Sequence, residues 1–250
     1  MTDGFPIPIP ERLPSKIEPC PILQAIFEVR FSSNESWTTM PGLLYAQIRD
    51  KYPEKRDLPL AGIPDEIRRR DFGLARSPLM QFLSPGMLLQ LGPNVISLVT
   101  KPSEYPGWPV IQAELKWMLE CLQKAGFVSE GERLGVRYVD FFARDIFPDI
   151  ILGLQINDAP LSAQTSEVTT VLRKDKFSIR LNATNGAIVE RPGGPMQGSI
   201  LDLDVSLGAL DFDVFKDGSE RFVEAHRTTK ELFFGLLRPD FLAGLNPIYA

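Results

Sequence analysis

The chain has 250 residues, 44% of them hydrophobic and 24% charged, with a formal net charge of −5 and a pI near 5.1. That mix belongs to a globular protein and excludes a disordered one, and two cysteines, Cys20 and Cys121, are too few for a disulfide framework and point to a reducing, cytoplasmic setting. An acidic chain repels a phosphate backbone unless its bases gather on one face, so nucleic acid is disfavoured as a partner. No stretch approaches the roughly 18 consecutive apolar residues of a membrane span, and no basic segment followed by an apolar run opens the chain, so neither a membrane nor a signal peptide is expected.

Residues 1–20 form a proline-rich arm in which Phe5 to Pro14 alternates proline with apolar residues, an extended segment expected to lie along the surface. Ala25 to Phe31 is a strand with Ala25, Phe27, Val29 and Phe31 on one face and Ile26, Glu28 and Arg30 on the other. Ser36 to Tyr52 reads as a helix with Pro41 in its first turn and Met40, Leu44, Ile48 and Tyr52 as its buried stripe. Leu58 to Pro78 is irregular, and its run Arg68-Arg69-Arg70 reads as a solvated end.

Leu79 to Leu83, Met87 to Leu91 and Val95 to Lys101 are three strands joined by tight turns, the pattern of an antiparallel meander. A helix over 109–125 starts with proline and stops at Gly126, burying Ile111, Leu115, Met118, Leu122 and Ala125. Arg133 to Phe142, Ile151 to Ile156, Ser166 to Lys174, Lys176 to Thr184 and Ser199 to Leu207 follow as strands, and the glycine-rich 191–198 is a loop between two of them. A last helix over 219–237 opens after Asp217-Gly218-Ser219, where Asp217 or Ser219 can cap it.

Because strands come in runs rather than in strict alternation with helices, the predicted architecture is α+β. It is a curved, mainly antiparallel sheet with helices packed on one face. The expected organisation is a single domain over 1–250 with two roughly similar halves, 21–128 and 129–250, after the arm.

Catalytic signals are sparse. The lone histidine, His226, lies in the last helix and reads as a core-edge residue. There is no Cys-x-x-Cys pair, nucleophile elbow or phosphate loop, and no metal or cofactor is implied. Asp202 and Asp204 alternate with Leu201, Leu203 and Val205, and Asp211 and Asp213 repeat the pattern. Such carboxylates suit either a solvent face or a divalent cation. Glu28, Arg30 and Arg137 are charged residues in two of the most apolar strands, where each must reach water or a partner. Pairing of the arginines with Glu28 or Asp202 would hold the sheet or receive an anionic ligand, so Glu28, Arg30, Arg137, Asp202 and Asp204 are the candidate binding residues.

The same strands carry a resemblance. Pro21 to Phe31 resembles the opening "E-A-x-F-E-x-R-F" strand of a sporadically distributed family of uncharacterised prokaryotic proteins of about this length. Leu79 to Leu91 with Asn94 and then Tyr105-Pro106-Gly107-Trp108 resembles its "Q-F-S-P…Q…Y-x-G-W" centre. Arg133 to Asp140 resembles its "R-L-G-L-R-Y-I-N" strand, and 222–237 its closing helix with histidine and phenylalanine. Gln24 stands where an acidic residue is usual, and Asp140 where asparagine is. The resemblance implies no activity; its patchy distribution suggests exchangeable cassettes such as phage-defence or toxin–antitoxin systems.

The leading expectation is a non-catalytic binding or regulatory protein that engages a protein partner, with homo-oligomerisation left open. A small-molecule or nucleotide binder with a cavity between sheet and helix is the second. A metal-dependent enzyme using the sheet-face carboxylates is the third.

Overall fold

The computed structural model describes residues 5–249 except 154, 158, 161–164 and 192. Its strands in chain order are β1 (Ile22–Ser33), β2 (Glu54–Asp57), β3 (Met80–Ser84), β4 (Met87–Gly92), β5 (Val95–Thr100), β6 (Val128–Phe142), β7 (Gln155–Ile156), β8 (Ala159–Pro160), β9 (Ser166–Lys174), β10 (Phe177–Arg191) and β11 (Gly194–Gly208). The helices are α1 (Met40–Ile48), α2 (Asp65–Arg68), α3 (Phe72–Ala75), α4 (Trp108–Ala125), α5 (Gly218–Leu236) and α6 (Pro239–Gly244). Among the described residues one open antiparallel sheet of nine strands runs in the order β2-β3-β4-β5-β1-β6-β11-β10-β9, so the chain is α+β. The small pair β7-β8 stands apart from it.

The chain divides into two compact units that are interleaved in sequence. A central unit holds Gln24–Val136 and Ser206–Ala225; a terminal unit holds Met1–Leu23, Arg137–Val205 and His226–Ala250.

In the central unit, alternation along β1 puts Ala25, Phe27, Val29 and Phe31 fully inside. Phe27 lies with its ring 6.1 Å from Trp108 of α4 and 6.4 Å from Phe222 of α5, so these helices cover the Phe27 side of the sheet. The register pairs Phe27 with Leu98, Leu98 with Leu89 and Leu89 with Phe82, which puts all four on that side, and Tyr45 of α1 stacks on Phe82. Pro85-Gly86 makes the β3–β4 turn, with Gly86 at a φ of 76° that favours glycine. Helix α4 ends on Gly126 in the left-handed conformation.

In the terminal unit, β9 and β10 form a hairpin in which Lys174 pairs with Phe177 across Asp175-Lys176. The arm docks on the C-terminal segment. Ile7 and Ile17 are buried, Ser15 N–H and Lys16 N–H donate to the Ile248 carbonyl, and Glu18 N–H donates to that of Leu245. A Cβ at Gly235 of α5 would come within 2.2 Å of the Pro8 carbonyl, so glycine there lets the arm lie against the helix.

Several expectations need correction. The first helix is shorter than 36–52, because Ser36 to Thr39 form a turn ahead of it; Tyr52 is buried all the same. Of 151–156 only Gln155–Ile156 is strand, and Leu154 lies outside the described residues. Apart from Pro192, which is not among the described residues, the glycine-rich 191–198 is mostly paired backbone, as β10 runs to Arg191 and β11 starts at Gly194. Asp211 and Asp213 do not continue a strand: Asp211 is in a 3-10 turn, and Asp213 accepts from the N–H groups of Phe215 and Lys216. Arg68 is buried rather than solvated, its Nε donating to the Ile63 carbonyl at 3.0 Å. The short β2 and α6 carry too few apolar residues to show a period.

Candidate functional site

Residues one apart on a strand face opposite ways, so Glu28 and Arg30 point away from the side of Phe27. The Glu28 Oε1 accepts from Arg30 Nε at 2.7 Å and from an Arg133 guanidinium nitrogen at 2.8 Å. All three side chains are half-buried. The register places Val99 beside Ile26, Leu88 beside Val99 and Leu83 beside Leu88, so half-buried Ile26, Leu83 and Leu88 share this face with the charges. Glu28 serves as a hub that fixes two guanidiniums.

In the terminal unit, Arg137 of β6 meets Asp202 of β11 in a two-pronged contact. Its Nε donates to Oδ1 at 2.8 Å and a terminal nitrogen donates to Oδ2 at 2.6 Å. This fork is the geometry for which arginine is suited. Asp204, two residues along β11 and half-buried, is engaged as well. The structure thus brings Glu28 to Arg30 in one unit and Arg137 to Asp202 in the other. Arg133 is a partner not singled out in the sequence, although its strand was. Asp140, on the same strand as Arg137, is 2% exposed, and burial with the Asp202 charge nearby pushes its carboxyl up to about 8. Near neutrality it is largely protonated.

His226 shares a hydrogen bond through Nδ1 with the Tyr138 hydroxyl at 2.9 Å. Burial, with the Lys230 ammonium nearby, holds it down at about 3, so the imidazole is neutral at ordinary pH. Cys121 is buried and its thiol is pushed up by that burial, while Cys20 is exposed. Among the described residues no three histidine, cysteine or carboxylate side chains gather as metal ligands do. No helix among them is long and apolar enough to cross a membrane.

The terminal unit also carries a groove of about 630 Å³ that the sequence did not announce. Phe141 and Phe142 at the end of β6, Arg191 at the end of β10, Met196 on β11 and Asp240 and Phe241 on α6 line it, with Cys20, Arg144, Asp149 and Leu245. Arg191 lies over the Phe141 ring at 5.0 Å, and Arg144 over Phe241 at 5.5 Å. Arg144 Nε stands 2.9 Å from Asp149 Oδ2, close enough for an ion pair but off the line of a hydrogen bond. No spacing in the sequence links residues 20, 144, 191 and 240, which only the fold assembles.

In comparisons with known proteins, no family model and no curated protein matches the chain.

Proposed function

We propose that this chain is a non-catalytic binding protein that engages a protein partner in the prokaryotic cytoplasm. The observation that carries this reading is the sheet face on which Glu28 holds Arg30 and Arg133 beside half-buried Ile26, Leu83 and Leu88. Apolar side chains mixed with ordered arginines are the composition of protein–protein interfaces. The resemblance in β1 and β6 adds a setting, a defence or toxin–antitoxin cassette in which the partner is encoded nearby. Gentle purification from native extract tests the reading. Wild-type protein should retain a defined partner, and Arg30→Ala with Arg133→Ala should release it with little change in Tm. A chain that always elutes alone sinks the idea.

A second reading, a small-ligand binder, has its own support in the groove of the terminal unit, whose volume lies in the range of ligand pockets. Denaturing the purified protein and analysing the supernatant by mass spectrometry tests it; absence of any released compound at stoichiometric level counts against it.

A further inference from the structure

Two side-chain atoms among the described residues are buried with no hydrogen-bond partner, Arg191 Nε and Asp149 Oδ2. Both belong to residues that line the groove of the terminal unit. Folded proteins leave few such atoms, and a group of them at one place asks for a partner that completes them. Arg191 Nε is a cationic donor, and Asp149 Oδ2, ion-paired at 2.9 Å with Arg144 Nε, still has acceptor capacity, so a ligand that satisfies both carries an acceptor and a donor of its own.

The charges around them narrow the choice. The ionised side chains of the groove are Arg144 and Arg191 against Asp149 and Asp240, two of each sign. A polyphosphate or oligonucleotide would gain two guanidiniums and meet two carboxylates, and a simple amine would face the reverse. A ligand with one charge of each sign meets an opposite charge at both ends. Between the charges the walls are apolar. Phe141 and Phe241 back the two guanidiniums, and Phe142, Met196 and Leu245 supply further surface. Each guanidinium lies over an aromatic ring, a cation–π contact that limits its freedom before a planar carboxylate arrives. The volume of about 630 Å³ accommodates a bulky apolar side chain as well as the charged head.

We propose that this groove binds a small zwitterion with an apolar body, an α-amino acid with a large aliphatic or aromatic side chain. Its carboxylate completes Arg191, its ammonium completes Asp149 and Asp240, and its side chain lies among Phe142, Met196 and Leu245. The proposal rests on the small-ligand reading and specifies the ligand class.

The test is a calorimetric titration of the full chain with L-phenylalanine, L-leucine and L-tryptophan. 3-Phenylpropionate (no ammonium), phenethylamine (no carboxylate) and AMP are run beside them. Saturable binding of at least one amino acid is expected, with each one-charge analogue weaker by about tenfold or more. Arg191→Met, with a ligand-free Tm at or above wild type, and Asp149→Asn, which loosens the ion pair to Arg144 but keeps a cooperative melt, should each weaken the amino acid by a similar factor. Arg56→Ala on β2, outside the groove, should bind as wild type does. Equal binding of the one-charge analogues overturns the zwitterion. Binding of AMP that Arg191→Met abolishes, with no amino acid bound, also overturns it and leaves the small-ligand reading standing. If nothing titrates and the denatured protein releases no compound, both fail together.

Discussion

The two units differ in how far they match their buried charge. In the central unit, polar groups inside are matched. The Glu114 carboxylate, 3% exposed on α4, accepts from the Tyr52 hydroxyl at 2.9 Å and pairs with the Lys51 ammonium, and Lys51 lies over the Trp117 ring that stacks on Tyr52. Glu28 is matched twice over. The terminal unit pairs Arg137 with Asp202 and buried Glu231 with Lys174 and Arg227. But it also holds a carboxyl driven to its neutral form at Asp140, an imidazole held neutral at His226, and two buried atoms without a hydrogen bond, at Arg191 and at Asp149 beside Arg144. Matched interior charges hold a scaffold; unmatched ones cost stability and persist where something else uses them. The proposed partner surface around Glu28 thus lies in the unit whose buried charges are paired, and the proposed ligand groove in the unit that leaves two buried atoms without a hydrogen bond.

The largest effect expected from this contrast is at Asp140. Its folded value of about 8 lies above the ordinary 3.8, so the native state holds the proton that the unfolded chain gives up. The cost is absent below about pH 4, grows as pH rises, and is complete above about pH 8. Asp140→Asn should therefore match wild type near pH 4 and exceed it at pH 8 by several kcal/mol in urea denaturation. His226 acts in the other direction, because its folded value of about 3 lies below the ordinary 6.5. Its stabilisation is complete above pH 6.5 and lost as pH falls toward 3. The two slopes oppose each other between about pH 4 and 6.5, so wild-type stability should be nearly flat there and decline on either side. His226→Gln should remove the acid-side decline, and a wild-type profile that is flat throughout would break the contrast between the units.

Next in size is Glu114→Ala, which strands the buried Tyr52 hydroxyl and should cost about 3 kcal/mol. Glu114→Gln keeps an acceptor and should cost less, since the half-exposed Lys51 can turn to water. A smaller effect of opposite sign is expected in the groove, where Arg191→Met removes an orphaned donor and should raise ligand-free stability by about 1 kcal/mol. The smallest is Glu28→Gln, below about 1 kcal/mol, because both of its arginines are half-buried and reach solvent. A loss there as large as that at Glu114 would make the sheet-face arginines structural rather than available to a partner.

The contrast is only partly visible along the chain. Alternation in 25–31, the turns at 84–86 and 92–94, and the helix 109–125 with proline before it and glycine after it are local signals, and the structure has those elements where these signals lie. Glu114 was legible in principle, as it falls three residues after Ile111 and four before Met118, inside the apolar stripe of its helix. The pairing of Arg137 with an aspartate was within reach, since a charged residue amid buried apolar ones must find water or a partner. Glu28 and Asp202 are the partners the sequence suggests, and Arg30 is on Glu28 and Arg137 on Asp202. Which arginine takes which carboxylate depends on the strand beside β6, and that is set by long-range pairing.

By itself, then, the sequence determined the α+β class, the antiparallel meander, the buried stripes of α1 and α4 and the charged residues that the sheet face had to accommodate. These follow from the periods of 2 and 3.6, proline and glycine at element ends, and the cost of burying charge, all of which act within a few residues. Only the tertiary structure decided that the chain folds into interleaved units, that the arm lies along Gly235 of α5, and that Arg144, Asp149, Arg191 and Asp240 line one groove. Those arrangements join residues tens to more than two hundred positions apart. No local pattern encodes them, because they follow from how whole elements close their apolar faces against one another.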